Sequence, residues 1–208
     1  MKQNNFMNNN TKMSQRQPYL EIILGPMYSG KTSKILDLYK QYKYCNISVL
    51  VINHALDKRY HEEYLSTHDQ KMIPCIQTQY LQELENNATL ENAEVILINE
   101  GQFFDDLYVF VKQQLKNGKK IYVCGLDGDF ERKKFGQMLD IIPLCDKVYK
   151  LHSLCADCRD GTPALFSLRV VEERDQLLIG SNNYKPVCRN CYDTGLSKEK
   201  PALLESFA

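Results

Sequence analysis

The octapeptide Gly25-Pro26-Met27-Tyr28-Ser29-Gly30-Lys31-Thr32 sets two glycines, a lysine and a hydroxyl at the spacing G-x-x-x-x-G-K-[ST]. In such a loop the backbone N–H groups converge on a phosphate, and the helix that follows adds the positive end of its dipole. Lys31 supplies a mobile cation for the β- and γ-phosphates, and the Thr32 hydroxyl can ligand Mg²⁺. A chance glycine turn ahead of a helix would look similar in isolation. Here an apolar run, Tyr19 to Leu24, precedes the loop, and residues at helical spacing, Ser33 to Tyr39, follow it. That order favours a nucleoside triphosphate site.

A second apolar run ends in Ile98-Asn99-Glu100-Gly101-Gln102. Proteins of the phosphate-loop type carry an Asp at this strand end that holds Mg²⁺ directly or through water. Asn99 keeps the shape and one acceptor oxygen but not the charge, so its hold on the metal is expected to be weaker. Either Thr32, the phosphates, water and Glu100 hold the ion adequately, or metal affinity has fallen; the first is favoured because the rest of the constellation is intact. Glu100 can accept a proton from an attacking hydroxyl or water. Its blander role is to cap the next segment or order water. A kinase and a water-activating ATPase fit this motif equally.

Cys155-Ala156-Asp157-Cys158 and Cys188-Arg189-Asn190-Cys191 form two C-x₂-C pairs about thirty residues apart. Two such knuckles make a closed tetrahedral Cys₄ site, and soft thiolates select Zn²⁺. With no open coordination position the ion is expected to be structural, stapling an appendage too small for a core of its own. The segment between the knuckles is not basic enough for a nucleic-acid ribbon and is expected to close over a substrate.

These residues need a scaffold. Strands are expected at Tyr19–Leu24, Ile47–Ile52, Glu94–Asn99, Lys120–Gly125 and Lys147–Leu151, and helices over the P-loop helix to about Tyr44 and from Asp106 to Asn117. Near-continuous apolar strands alternating with helices predict an α/β fold, a P-loop NTPase-type mostly parallel sheet with helices on both faces, plus a small C-terminal zinc-ribbon or lasso domain. Ligands then sit beyond the carboxyl ends of the strands. The polar stretch from His54 to Thr78 is expected to be irregular and functional. The 208 residues divide into a disordered leader (1–18), the α/β domain (19–151), the lasso domain (152–193) and a flexible tail (194–208). Twenty-six basic and twenty-six acidic residues cancel, which argues against a nucleic-acid partner or an anionic membrane surface. No apolar stretch approaches a bilayer span, and eight cysteines without a signal segment point to reduced thiols and the cytoplasm.

In this order the motifs resemble the cellular and viral (type II) thymidine kinases over about Leu20 to Tyr192. The resemblance is carried by the octapeptide at 25–32, Asp57-Lys58-Arg59-Tyr60, Thr67-His68-Asp69, Glu100-Gly101-Gln102-Phe103-Phe104, Leu126-Asp127-Gly128-Asp129-Phe130, Arg132-Lys133, Phe135-Gly136, and Tyr184 before the second knuckle. It implies transfer of the γ-phosphate of ATP, with Mg²⁺, to the 5′-hydroxyl of thymidine, with Glu100 as general base. On the ATP side it groups Gly25, Pro26, Met27, Tyr28, Ser29, Gly30, Lys31 and Thr32 with Asp57, Arg59, Asn99, Gln102 and Arg169, the last near the transferred phosphate. On the acceptor side Phe103 and Phe130 flank the thymine ring, and Met27, Leu126 and Phe135 shape the pocket. Main chain around Leu178, Ile179 and Gly180 meets the base edge, and Tyr184 the sugar. It further implies a homotetramer, and leaves open whether thymidine triphosphate inhibits.

Blander readings stand beside these. One of Phe103 and Phe104 is expected to be core, Tyr184 can pack on the zinc knuckles, and Asp57 with Arg59 can form only a surface ion pair. An ATPase module and a nucleotide-sensing zinc ribbon are the competing classes; dependence of ATP consumption on thymidine and a salt-dependent DNA titration separate them.

Overall fold

Strand β1 (Tyr19–Leu24) and helix α1 (Lys31–Tyr44) flank the phosphate loop, as the hydrophobic pattern requires. The computed structural model describes residues 17–57, 64–66, 71–173, 175–178 and 180–198. The expectations placed on the leader, on Arg59, on Thr67-His68-Asp69, on Ile179 and on the end of the tail lie outside the described residues.

After α1 come β2 (Val49–His54), β3 (Tyr64–Ser66), β4 (Met72–Pro74), β5 (Ile76–Thr78), α2 (Ala88–Asn92), β6 (Val95–Ile98), α3 (Leu107–Lys116), β7 (Lys120–Gly125) and β8 (Lys147–Lys150). Six strands form one sheet in the order β5-β2-β6-β7-β1-β8, and each of its neighbouring pairs is parallel. The shared direction brings the carboxyl ends of β1, β2, β6 and β7 to one rim.

Alternation along the strands divides the core into two layers. Leu20, Ile22, Ile96, Ile98, Ile121 and Val123 face α3 through Leu107, Phe110 and Val111. Ile23, Val51, Val95, Leu97 and Cys124 face α1 through Ile35, Leu36 and Leu38. Each fully buried Ile or Leu contributes roughly 1.5–3 kcal/mol relative to exposure, so the rim stands on a rigid base.

Two differences from the sequence reading have physical reasons. β2 runs two residues further, through Asn53 and His54, both 2 % exposed, because buried hydrogen bonds satisfy side chains that a hydropathy pattern excludes. The stretch read as irregular holds the antiparallel pair β3 and β4 and the sheet edge β5. Runs of three residues are too short to show a period of two.

The C-terminal part is built from short antiparallel pairs. β9 (Ser153–Leu154) pairs with β10 (Pro163–Ala164), and β11 (Phe166–Arg169) pairs with β12 (Tyr184–Val187), ahead of α4 (Arg189–Lys198). Its small apolar cluster joins Cys155, Ala164, Leu168, Val187, Cys188 and Tyr192.

Candidate active site

Left-handed backbone shapes the phosphate loop at Tyr28 (φ 62°) and Gly30 (φ 83°). At Gly25 a Cβ would lie 2.7 Å from Ser29 Oγ and 2.8 Å from the Leu151 carbonyl oxygen, so only glycine fits. Lys31 is buried, and its Nζ donates to the Pro26 carbonyl at 2.8 Å, which holds the ammonium inside the loop. Ser29 Oγ donates to the same carbonyl at 2.8 Å. Met27 N–H donates to Ser167 Oγ at 2.9 Å, tying the loop to β11.

A cavity of about 310 Å³ opens over this loop. Met27, Tyr28, Ser29, Gly30, Lys31 and Thr32 form its floor, with Asp57 at one side and Glu100 and Gln102 at the rim. Phe103, Leu126, Phe130 and Phe135 give it an apolar recess, which Leu178, Gly180 and Tyr184 border. The recess and the phosphate loop share one space. Phe103 and Phe135 meet edge to face at 5.7 Å, whereas Phe104 is fully buried in the core.

Glu100 has φ 53° and ψ 43°, an uncommon backbone for a residue other than glycine, at the turn out of β6. Gln102, 2 % exposed, donates from Nε2 to Glu100 Oε2 at 2.7 Å and accepts from Leu126 N–H at 3.0 Å. Below Phe103 lies His54, 5.6 Å from that ring and 4.7 Å from Phe104. Its Nδ1 accepts from Leu56 N–H at 3.1 Å, and burial pushes its pKa below the usual histidine value.

Asn99 is 1 % exposed and lies beneath the rim, outside the cavity wall. Its Nδ2 donates to Asn53 Oδ1 at 2.8 Å, and its Oδ1 accepts from the Cys124 thiol at 3.0 Å. Asn53 Nδ2 in turn donates to Asp57 Oδ2 at 3.3 Å. Every donor in this chain points toward Asp57, a carboxylate that does line the cavity. Burial of the Cys124 thiol pushes its pKa up to about 12, with Glu100 adding to the effect, so it remains a donor.

Arg169 also lies outside the cavity wall. Its Nη1 donates to the carbonyls of Glu173 (2.9 Å) and Asp175 (2.6 Å), and its Nη2 to the Tyr184 hydroxyl. The guanidinium stacks 3.7 Å from the Phe130 ring centroid. Arg169 Nε is buried without a hydrogen bond among the described residues. The Tyr184 hydroxyl donates in turn to the Leu178 carbonyl at 3.0 Å. Arg169 thus binds the 173–178 segment to the Phe130 loop, and Gln176 Nε2 reinforces that bond at Asp129 Oδ2, 2.6 Å away.

Gly25 and Pro26 lie outside the cavity wall, while Leu56, Ser66, Ser167, Gln176 and Leu177 enter it although the sequence had not singled them out, and Asp129 enters it as part of a motif but with no role assigned. Gly128-Asp129, inside a glycine- and charge-rich loop, carried some signal. Ser167 carried none, since its place follows only from the fold of β11 onto the phosphate loop.

The four Sγ atoms of Cys155, Cys158, Cys188 and Cys191 lie within 4.8 Å of one another, with Cys158 3.8 Å from Cys188 and 3.5 Å from Cys191. A tetrahedral ion with metal–sulfur bonds of about 2.3 Å has edges of about 3.8 Å, so the cluster fits zinc. Burial opposes ionisation of the Cys155 thiol, but N–H groups of Cys158, Cys188 and Asp157 outweigh it and bring the pKa to about 6.

Comparison with known proteins gives concordant matches. The family model described as thymidine kinase matches residues 18–192. A thymidine kinase of Yaba monkey tumor virus (strain VR587) is 40% identical over 181 residues, 86% of this chain and 97% of that protein. The thymidine kinase of sheeppox virus (strain KS-1) is 36% identical over 84% of this chain and 96% of its own length. The cytosolic thymidine kinase of Bos taurus is 34% identical over 93% of this chain and 79% of its own.

Proposed function

The chain belongs to the thymidine kinase family, and on that premise we propose how its residues carry the γ-phosphate of ATP to the 5′-hydroxyl of thymidine, giving thymidine monophosphate and ADP. The carrying observation is that a phosphate loop, a carboxylate and an aromatic recess open into one cavity of about 310 Å³.

Phosphoryl transfer needs alignment and charge neutralisation more than covalent chemistry. The loop amides and Lys31 hold the donor phosphates. Mg²⁺ with ATP supplies neutralising charge when bound, and Thr32, in the cavity wall at the start of α1, would hold it. Glu100 orients the 5′-hydroxyl in line and takes its proton. Phe103 and Phe130 flank the thymine ring, with Met27, Leu126 and Phe135 around it, while main chain at Leu178 and Gly180 meets the base edge and Tyr184 the sugar. Arg169 serves the reaction by keeping the 173–178 segment over the recess, which excludes water and limits wasteful hydrolysis.

Zinc in the Cys₄ cluster staples the two knuckles of the 152–193 lasso domain to each other, which gives that segment a fixed shape beside the 19–151 kinase domain. Support comes from the sulfur spacing. A cytoplasmic location draws support from the cytosolic relative, and no helix among the described residues is long and apolar enough to cross a membrane. The homotetramer is carried over from the family resemblance.

The test is ATP consumption with and without thymidine in the wild type and in Glu100→Gln. The wild type is expected to consume ATP only with the nucleoside. Glu100→Gln should lower turnover by about 10²–10⁴-fold while leaving ATP affinity nearly unchanged. Near-normal turnover in that variant removes Glu100 from the base role.

A further inference from the structure

We infer that Gln102 is a positioning residue: its buried amide fixes the Glu100 carboxylate and couples it to the loop that carries Phe130. The inference rests on the reading of Glu100 as base and gives Gln102 a role separate from contact with phosphate.

The orientation of the amide is determined by its neighbours. Leu126 N–H can only donate, so the oxygen of Gln102 must face it, which turns Nε2 toward Glu100 Oε2. Both ends are engaged, at 3.0 and 2.7 Å, and the residue is 2 % exposed. A flipped amide would set oxygen against carboxylate and nitrogen against N–H, so a single state is held.

The surroundings are packed closely against the residue. A Cβ on Gly125 would lie 2.6 Å from Gln102 Oε1, and one on Gly136 (φ +55°) would lie 2.1 Å from the Gln102 carbonyl oxygen. On Gly101 it would meet Met138 Sδ at 2.6 Å and Val123 Cγ1 at 2.7 Å. Gly125 thus leaves room for the amide oxygen, Gly136 for close approach to the Gln102 main chain, and Gly101 for Met138 and Val123.

Such a clamp matters because Glu100 leaves β6 in a left-handed turn, where the strand no longer dictates the direction of its side chain. The other end of the amide holds Leu126, four residues before Phe130. One side chain thus sets the distance between the proton acceptor and the loop against which the nucleoside stacks.

The experiment is a double-mutant cycle of Gln102→Leu and Glu100→Gln, reading kcat, both KM values and the unfolding temperature. Gln102→Leu keeps most of the volume and removes both hydrogen bonds. It is expected to lower kcat by about 10- to 100-fold, the scale of a 1 Å misplacement, with KM for ATP within about twofold of wild type. In the Glu100→Gln background the same change should cost less than about twofold in kcat, because the group it positions is already lost. Losses that multiply across the two positions, a kcat near wild type, or a large rise in KM for ATP would each overturn the proposal; the last would return Gln102 to phosphate binding. If Gln102→Leu does not fold, Gln102→Glu carries the same test, since it keeps the volume and the acceptor for Leu126 but repels Glu100. Near-normal turnover of Glu100→Gln alone is a different failure, that of the base assignment.

Discussion

Replacing Asn99 by Asp restores the residue usual at a Walker-type strand end, yet the geometry predicts harm to the fold rather than a better metal site. In the wild type Asn99 Nδ2 donates to Asn53 Oδ1 at 2.8 Å and Asn53 Nδ2 donates to Asp57 Oδ2 at 3.3 Å. After Asn99→Asp, Asn53 can donate to only one of two carboxylates, and its oxygen must face the other. A buried polar contact left unmade costs about 1–3 kcal/mol, and more with a charge, so a loss of roughly 3 kcal/mol is expected at pH 8. For a chain of this size that corresponds to a fall of about 6–12 °C in unfolding temperature.

The sign with pH follows from burial, which raises the new carboxyl above its unfolded value of about 3.9. Its protonated form can donate to Asn53 Oδ1 and mend the chain. Stability is therefore retained near and below pH 4 and lost as pH rises through the folded pKa, so the deficit should be smaller at pH 5.5 than at pH 8. The assay is thermal unfolding of both proteins at the two pH values, with turnover titrated against Mg²⁺. Because Asn99 lies outside the cavity wall, half-saturating Mg²⁺ should change by less than about twofold. An undiminished unfolding temperature together with a sharply lower Mg²⁺ requirement would refute this reasoning.

Two further outcomes follow from the structure. His54 is buried and its pKa lies below the ordinary histidine value, so the unfolded chain takes up its proton first as pH falls. Stability is present above about pH 6.5 and lost toward the folded pKa; the unfolding temperatures of His54→Phe at pH 7.5 and 5.5 should lie closer together than those of wild type, and an equal gap would remove His54 from this role. The Cys₄ cluster should bring about one zinc per chain in metal analysis of the purified protein, and Cys158→Ser should lose most of it and lower the unfolding temperature. A wild-type protein without zinc would count against the structural role.

What could be read from sequence depended on how local the determinants are. The phosphate loop was legible because its glycines, Lys31 and Thr32 act through bonds within one turn, and the long apolar runs of β1, β6 and β7 show their pattern unaided. The sheet edge β5 was not, because Ile76–Thr78 is three residues long and acquires its role by pairing with β2. Asn99 could be seen as a departure, but not where it points. That depends on Asn53 and Cys124, on the neighbouring strands to either side. Arg169 was legible as a cation, while its partners are carbonyls of an irregular segment that no pattern specifies. Ser167 meets the phosphate loop only through the tertiary fold.

The hydrogen bond from Met27 N–H to Ser167 Oγ joins residues 140 positions apart. During synthesis the phosphate loop emerges early, and its partner hydroxyl leaves the ribosome only after the whole sheet has done so. The knuckle at Cys188 and Cys191 comes later still. A nascent or truncated chain can therefore possess the loop and the sheet while lacking one wall of the acceptor recess. Competence is acquired last, from the C-terminal end, and incomplete chains are denied the geometry needed to use ATP on an acceptor.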